Sequence, residues 1–322
     1  MLLRVTAEST TVGVPPLAVA RRKRARALAY GGFMPSEVPV IDLHTHSSCS
    51  DGTQRPADVV ASAAEAGVTV LGLTDHDVVA GWAPAAAAGV ERGITVVPGL
   101  ELSTQAGGVS VHMLAYLVDP DHEELTALMA TIRRHRDTRM QRTVELLAAD
   151  GYPVDYEAIV GFVGQGVTLG RPHIADALVR AGTFEDRNAV FEDVLHGRSR
   201  YYVRHWAPET MDAVRIITAA GGVPIMAHPF AHARGRTVSV SVIAGLVEAG
   251  MAGLEVHHRD HDAQAMQQAG ALCAQWGLIA TGSSDYHGAG KSNRLAEHTT
   301  DPVHFDRIVA MGTGSALMGA SR

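Results

Sequence analysis

Seventeen of the 322 residues are histidine, a side chain suited to metal ligation and to proton transfer near neutral pH. Several fall where apolar, strand-like runs end. His44 and His46 follow Ile41-Asp42-Leu43, His76 follows Leu71-Gly72-Leu73-Thr74-Asp75, and His228 follows Ile225-Met226-Ala227. Asp285 and His287 follow Ile279–Ser284, His112 lies inside Val109–Val118, Glu101 follows Val96-Val97-Pro98-Gly99-Leu100, and Asp51 sits in the loop after His46. Residues i and i+2 of an extended chain face the same way, so His44 with His46, and Asp285 with His287, can each address one point. These nine donors exceed what one cation needs. At roughly four to six ligands per ion, counting waters and a shared carboxylate, they suit two or three. Glu101, with two oxygens and no close competitor, is the natural bridge. Any one of these histidines alone is more often a satisfied structural residue. Asp75 and Asp77 alone read as turn residues, and Asp42 as a strand-end hydrogen-bonder. Six separate segments delivering donors to strand ends reverse that balance. Such a cluster binds an oxyanion between ions, lowers the pKa of a bound water and stabilises an in-line displacement, so phosphate ester hydrolysis is its natural reaction. Neither a Gly-x-Ser-x-Gly elbow nor a Walker-type Gly-x-x-x-x-Gly-Lys-Ser/Thr loop occurs. Cys49 has no second thiol at metal-site spacing and reads as a small packing or loop residue.

The donors need elements that bring strand ends to one place. Strand signals run over Val38–Leu43, Val68–Leu73, Ile94–Pro98, Val109–Val118, Val223–Ala227, Gly253–Val256 and Leu278–Thr281. Helix signals lie between them, from Pro56 to about Ala66 and over Ala83–Arg92, Pro208–Ala220, Val238–Ala249 and Asp262–Trp276. The alternation predicts an α/β fold of parallel strands with crossover helices, open or closed into a barrel, whose strand ends converge at one face. Residues 121–207 break the rhythm: Glu123–Ala149 reads as one long helix, Pro172–Arg180 and Asp186–His196 as two more, with no strong strand. The expected organisation is a barrel from residues 38–120 and 208–322 with a helical insertion at 121–207 overhanging the site.

Composition narrows the class. At 46% hydrophobic and 19% charged residues the chain suits a globular protein with a sizeable core. No apolar stretch is long enough for a membrane span. Two cysteines, Cys49 and Cys273, make no disulfide framework and fit a reducing, cytoplasmic setting. Residues 1–33 hold six basic side chains against Glu8, while the whole chain carries −7, so the body is acidic and duplex nucleic acid is a poor partner for it. Residues 1–37 read as a solvated basic extension, its Arg21–Arg26 run following the weakly apolar stretch rather than preceding it as in a secretory signal. Met34, just before the first strand, is a candidate for the true start, which would make residues 1–33 no part of the real protein.

The residues also carry a resemblance. Ile41-Asp42-Leu43-His44-Thr45-His46-Ser47-Ser48-Cys49-Ser50-Asp51-Gly52, Leu73-Thr74-Asp75-His76-Asp77 and Pro98-Gly99-Leu100-Glu101 closely resemble the motifs of the PHP (polymerase and histidinol phosphatase) family. So do Val111-His112, Gly170-Arg171-Pro172-His173-Ile174-Ala175, Ala227-His228-Pro229 and Ser284-Asp285-Tyr286-His287-Gly288. The resemblance implies a distorted (β/α)7 barrel, a trinuclear centre of divalent ions and a metal-bridging hydroxide as nucleophile. By position, His44, His46, Glu101 and Asp285 would hold one ion, Glu101, His112 and His228 a second, and Asp51, His76 and His287 a third. All nine ligands are nitrogen or oxygen donors, which suits Mn, Fe or Zn.

The Gly-Arg-Pro-His segment is similar to that of family members acting on nucleotides, including those that remove the 3′-phosphate of nucleoside 3′,5′-bisphosphates or degrade short RNA from the 5′ end. In that subgroup the insertion carries phosphate contacts, which makes Arg171 and His173 candidate substrate residues. The guanidinium of Arg171 offers a planar fork to phosphate oxygens; its other reading is a surface or capping residue near a helix start. His258 and His261, after the strand at Glu255-Val256, are candidates for the leaving-group acid, and Lys291 for a phosphate contact; all three could equally be solvated loop residues. Within the same chemistry the runner-up is a histidinol-phosphate phosphatase. A polymerase-associated module or a non-enzymatic metal-binding regulator is the alternative class; nothing in the chain resembles a polymerase, and a regulator would fit better had ligand positions been lost.

Overall fold

The computed structural model describes residues 38–320 apart from 165 and 205; the expected basic extension at 1–37 lies outside them. β1 (Ile41–Thr45), α1 (Pro56–Glu65), β2 (Val70–Leu73), α2 (Trp82–Arg92) and β3 (Thr95–Ala106) follow in order. β1 pairs parallel with β2, and β2 with β3. Every residue of β1 and β2 is buried, as befits parallel strands covered on both faces. Pro56 opens α1, where its missing N–H costs nothing, after an extended Arg55.

β4 (Val109–Tyr116) departs from the all-parallel expectation. It runs antiparallel to β3 and to β5 (Val223–Met226). The cause is local: only Gly107 and Gly108 separate β3 from β4, with φ of +56° and +77°. Two successive left-handed residues make the tight hairpin that glycine allows, and two residues cannot span a parallel crossover. β3 also continues past Pro98 and Gly99, so Glu101 lies inside the strand rather than after it. The proline and glycine mark a change of partner: Thr95–Pro98 pair with β2, and Gly99–Ala106 with β4.

After β4 come four helices, α3 (Glu123–Ala149), α4 (Tyr156–Val163), α5 (Arg171–Arg180) and α6 (Arg187–Asp193). They share an apolar cluster of their own that includes Met140, Leu147, Ile159, Leu178 and Val190. α3 matches its sequence signal end to end. α4 is short and escaped the periodicity reading, its start fixed by Asp155 accepting the Ala158 N–H at 2.8 Å. The chain returns through α7 (Thr210–Ala219), β5, α8 (Val240–Glu248), β6 (Gly253–His257), α9 (Ala263–Trp276), β7 (Ile279–Gly282), α10 (Pro302–Met311) and β8 (Met318–Gly319). The strand order is β1 through β7 in sequence, with β8 on the side of β3.

The sheet curls until its ends nearly meet. The His46 N–H donates to the Tyr286 carbonyl at 2.8 Å, and the Thr300 N–H to Ile41 at 2.9 Å, joining β1 to the chain that follows β7. One apolar cluster gathers Leu43, Val70, Val97, Leu114, Ile225 and Ile279 from six strands, with Phe305 and Ile308 of α10. Residues from so many strands can meet only in the interior of a nearly closed barrel. The fold is the distorted barrel expected, with β4 reversed. Among the described residues no helix is long and apolar enough to cross a membrane.

Candidate metal centre

The nine donors arrive at one mouth of the barrel. The tightest group joins β1, β3 and the chain after β7. His44 Nε2 and His46 Nε2 are 3.0 Å apart. Glu101 Oε2 lies 3.4 and 3.2 Å from them, and Asp285 Oδ1 3.5 Å from each. A tetrahedral ion with ligands near 2.1 Å separates its donors by about 3.4 Å. The five separations, from 3.0 to 3.5 Å, lie close to that value, and His44 and His46 are shared between the two carboxylates. Two imidazole nitrogens facing each other at 3.0 Å either share one proton in a hydrogen bond or both turn lone pairs toward a shared cation.

Glu101 uses its second oxygen elsewhere. Its Oε1 is 2.8 Å from His112 Nδ1 and 3.2 Å from His228 Nε2. One carboxylate thus faces two donor groups, the arrangement of a bridge. On the other flank Asp51 Oδ1 is 3.3 Å from His287 Nε2 and 3.8 Å from His46 Nδ1, while its Oδ2 is 3.8 Å from His76 Nε2. His76 is placed by a strand-like continuation of β2, in which Glu101 N–H donates to Asp75 O and Asp77 N–H to Glu101 O, each at 3.2 Å. Its Nδ1 lies 3.2 Å from Glu101 Oε2 but out of hydrogen-bonding alignment, a buried polar atom without a partner. Asp51 and His287 group with His46, while His76 groups with His46 and Glu101; the His46 and His287 rings stack at 4.1 Å, so His46 faces more than one group as Glu101 does.

The electrostatics suit divalent cations. Burial opposes charge on every group here, yet the surrounding imidazoles hold Glu101 and Asp51 well below the usual carboxylate range, and Lys291 and Arg234 do the same for Asp285. Burial, with Arg234 nearby, pulls His228 down to about 3, and burial with Lys291 takes His287 to about 4. Both rings are neutral and can present a lone pair. His46 goes the other way: burial would lower it, but hydrogen bonds to Asp285 and Glu101 raise it to about 9. The cluster thus attracts positive charge to its centre.

A further layer fixes these side chains. Glu255 of β6, fully buried, accepts from His44 Nδ1 at 3.1 Å and from the His228 N–H at 2.8 Å. With a neutral ring's proton held on Nδ1, Nε2 can aim its lone pair at the cage, the usual arrangement behind a metal-bound imidazole. Burial would raise Glu255, but His44 and His258 hold it at about 2. Asp75 accepts from Ser47 N–H and from the hydroxyls of Ser47 and Ser50, shaping the Asp51 loop. Asp77 is fixed by Ser103 and by Arg136 of α3 at 2.8 Å. Asp77, His228 and Asp285 take left-handed backbone, with φ of 54°, 30° and 52°, strain of the kind that functional sites hold through surrounding contacts. The roles of Glu255, Arg136 and Arg234 are not readable from the sequence, which singles out only His258 and His261 in the segment that Glu255 begins.

The candidate substrate residues divide. Lys291 donates to Asp285 Oδ2 at 3.0 Å and lines a cleft of about 710 Å³ beside the cluster. His258 is fully buried, its Nδ1 accepts from Asp260 N–H, and its Nε2 lies 3.4 Å from Asp285 Oδ2. His261 is occupied at both nitrogens, by Val256 O and by Phe230 N–H, and braces the loop. His173 is likewise occupied: Nδ1 accepts from Gly170 N–H and Nε2 donates to Ser50 O, each at 3.0 Å. With Thr168 N–H on Cys49 O and Arg187 Nη1 on Asp51 O, it ties the helical segment to three successive carbonyls of the Asp51 loop. Arg171 opens α5, donates to Leu195 O at 2.9 Å and lies over the rings of Phe191 and Tyr202. Neither Arg171 nor His173 makes a contact to the nine donors.

The sequence pattern that defines the PHP domain matches residues 42–188. The chain is 34% identical to a 3′,5′-nucleoside bisphosphate phosphatase of Chromobacterium violaceum, over 81% of this chain and 92% of that one. It is 32% identical to a phosphoribosyl 1,2-cyclic phosphate 1,2-diphosphodiesterase of Eggerthella lenta, over 77% and 94%. A solved structure from Bifidobacterium adolescentis, described as a metal-dependent phosphoesterase, superposes with a TM-score of 0.82 at 35% identity, covering 86% of this chain and 98% of its own. The chain belongs to the PHP family. It is an enzyme of that family's metal-dependent phosphoesterase class.

Proposed function

We propose that the enzyme hydrolyses phosphate monoesters of nucleotides, such as the 3′-phosphate of nucleoside 3′,5′-bisphosphates, or shortens short RNA from its 5′ end, in the cytoplasm. The observation that carries this is the cage of His44, His46, Glu101 and Asp285, whose donor spacing suits an ion and whose Glu101 reaches a second group. We assign two or three divalent ions of the Mn, Fe or Zn kind. His44, His46, Glu101 and Asp285 would hold one, Glu101, His112 and His228 a second, and Asp51, His76 and His287, with His46 close by, a third. Bound there, they would lower the pKa of water and neutralise the phosphoryl oxygens.

The protein's own part is orientation. Glu255 aims His44, Asp75 shapes the Asp51 loop, and Lys291 stands where a phosphate oxygen would enter from the cleft. His258 is the better candidate for protonating the leaving oxygen. Its Nδ1 accepts a hydrogen bond, so its proton sits on Nε2, which has no hydrogen-bond partner. His261 has no free nitrogen. Arg171 and His173 support the cleft through the loop and helices they hold, and Arg171 meets substrate only if its ring-stacked guanidinium swings free. The nucleotide reading draws support from the Chromobacterium violaceum relative and from a cleft of nucleotide size.

The test is phosphate release from a panel of nucleotides, nucleoside bisphosphates, 5′-phosphorylated short RNAs and histidinol phosphate, with metal analysis of the same sample. Fastest turnover on a bisphosphate or RNA is expected. Much faster turnover of histidinol phosphate would overturn the substrate class and leave the chemistry.

A further inference from the structure

The cleft beside the metal centre has a second end. Ser50 and Gly52, which flank Asp51, and Lys291, which holds Asp285, lie on one part of its lining. Phe162 of α4 and Arg180 of α5 lie on another. Phe162 is 68% exposed, whereas Ile159 on the same short helix is buried. The Arg180 guanidinium sits 3.7 Å from the Phe162 ring centroid, covering one face. Both residues also line an adjoining hollow of about 470 Å³ with Tyr152 and Ala177, so the pair forms a wall with open space on either side.

A flat ring backed by a guanidinium, with its other face open, is a surface on which a nucleobase stacks, and stacking accepts any base because each has a π-face. The charges agree. Asp176 in the same lining is neutralised by Arg187 at 2.5 and 2.6 Å. Glu185 also lines the cleft, and an uncharged base is better received beside it than a second phosphate. We propose that Phe162 and Arg180 form the base platform of the cleft, and that they set a preference for nucleotides over base-free phosphate esters at the metal centre. The proposal rests on the nucleotide reading above.

The test compares the metal-loaded full chain with its Phe162→Ala and Phe162→Tyr variants on adenosine 3′,5′-bisphosphate and on ribose 3,5-bisphosphate lacking the base. In Phe162→Ala the ratio of kcat/KM for the two substrates should fall about tenfold, carried by KM, with Phe162→Tyr restoring it. Calorimetry on metal-free protein should show AMP binding weakened by a similar factor. An unchanged ratio, or equal losses on both substrates, overturns the platform while leaving the nucleotide reading intact. A wild-type enzyme that releases phosphate from histidinol phosphate but from no nucleotide overturns both.

Discussion

Replacing Glu255 by Gln removes one oxygen and a charge from a fully enclosed position, and the effect can be worked from two contacts. The carboxylate accepts from His44 Nδ1 at 3.1 Å and from the His228 N–H at 2.8 Å. A glutamine has one acceptor and two donors at that end. If its carbonyl keeps His44, its amide NH2 confronts the His228 N–H, leaving buried donors unmet at about 1–3 kcal/mol. If it keeps His228, His44 loses the partner that fixes its tautomer, and the proton can move to the nitrogen the ion needs. Either way metal affinity should fall about 10–100-fold, equivalent to about 1.4–2.8 kcal/mol. Competition with a graded series of chelators, read by metal analysis, measures it directly. The apo protein should also unfold at lower denaturant, since the lost hydrogen bond does not depend on the ion. Metal affinity within twofold of wild type would refute the claim that Glu255 orients His44.

His44→Ala and Glu101→Ala should each lower metal content and abolish phosphatase activity, Glu101→Ala losing more metal because both its oxygens face donors; metal analysis and phosphate release check this. Arg171→Ala should raise KM several-fold and spare metal content, and loss of metal would show that Arg171 acts on the centre instead. Arg136→Ala strands the buried Asp77 carboxylate and should cost about 3–5 kcal/mol in denaturant unfolding, partly recovered in Arg136→Ala/Asp77→Asn. Burial pushes the Cys273 thiol up to about 11 from its ordinary 9.0. It should resist alkylation at pH 8 in the native state. Its contribution to stability should be flat below pH 9 and fall between pH 9 and 11, where the unfolded chain ionises first; alkylation rates and unfolding at pH 8 and 10.5 test both.

The sequence made the nine donors legible because they stand next to apolar runs, and an apolar run fixes which way its ends point. The β1 pair at i and i+2 and the long helix α3 show how far local pattern reaches. It failed at β3, where Pro98 and Gly99 resemble a strand end but mark a change of neighbour. Antiparallel β4 was hidden for a related reason: an apolar run shows that a strand exists and says nothing of its direction, which here hangs on Gly107 and Gly108. Glu255 went unassigned because its partner His44 is 211 residues away, and no spacing rule spans that distance. Arg171 and His173 stood out by type, but both spend their polar atoms on backbone, which only three-dimensional packing reveals.

The reversed hairpin has a consequence for how this enzyme can vary. Ser103 lies directly opposite His112, and Glu101 stands two places along on the same face. The distance from bridge to imidazole is therefore an arithmetic property of the ladder. Lengthening the turn between Gly107 and Gly108 should be harmless, whereas sliding one strand by a single place would turn the imidazole outward and empty that corner of the mouth. Evolution can decorate this loop freely, but a slide of the ladder that keeps both donors on one face admits only even steps.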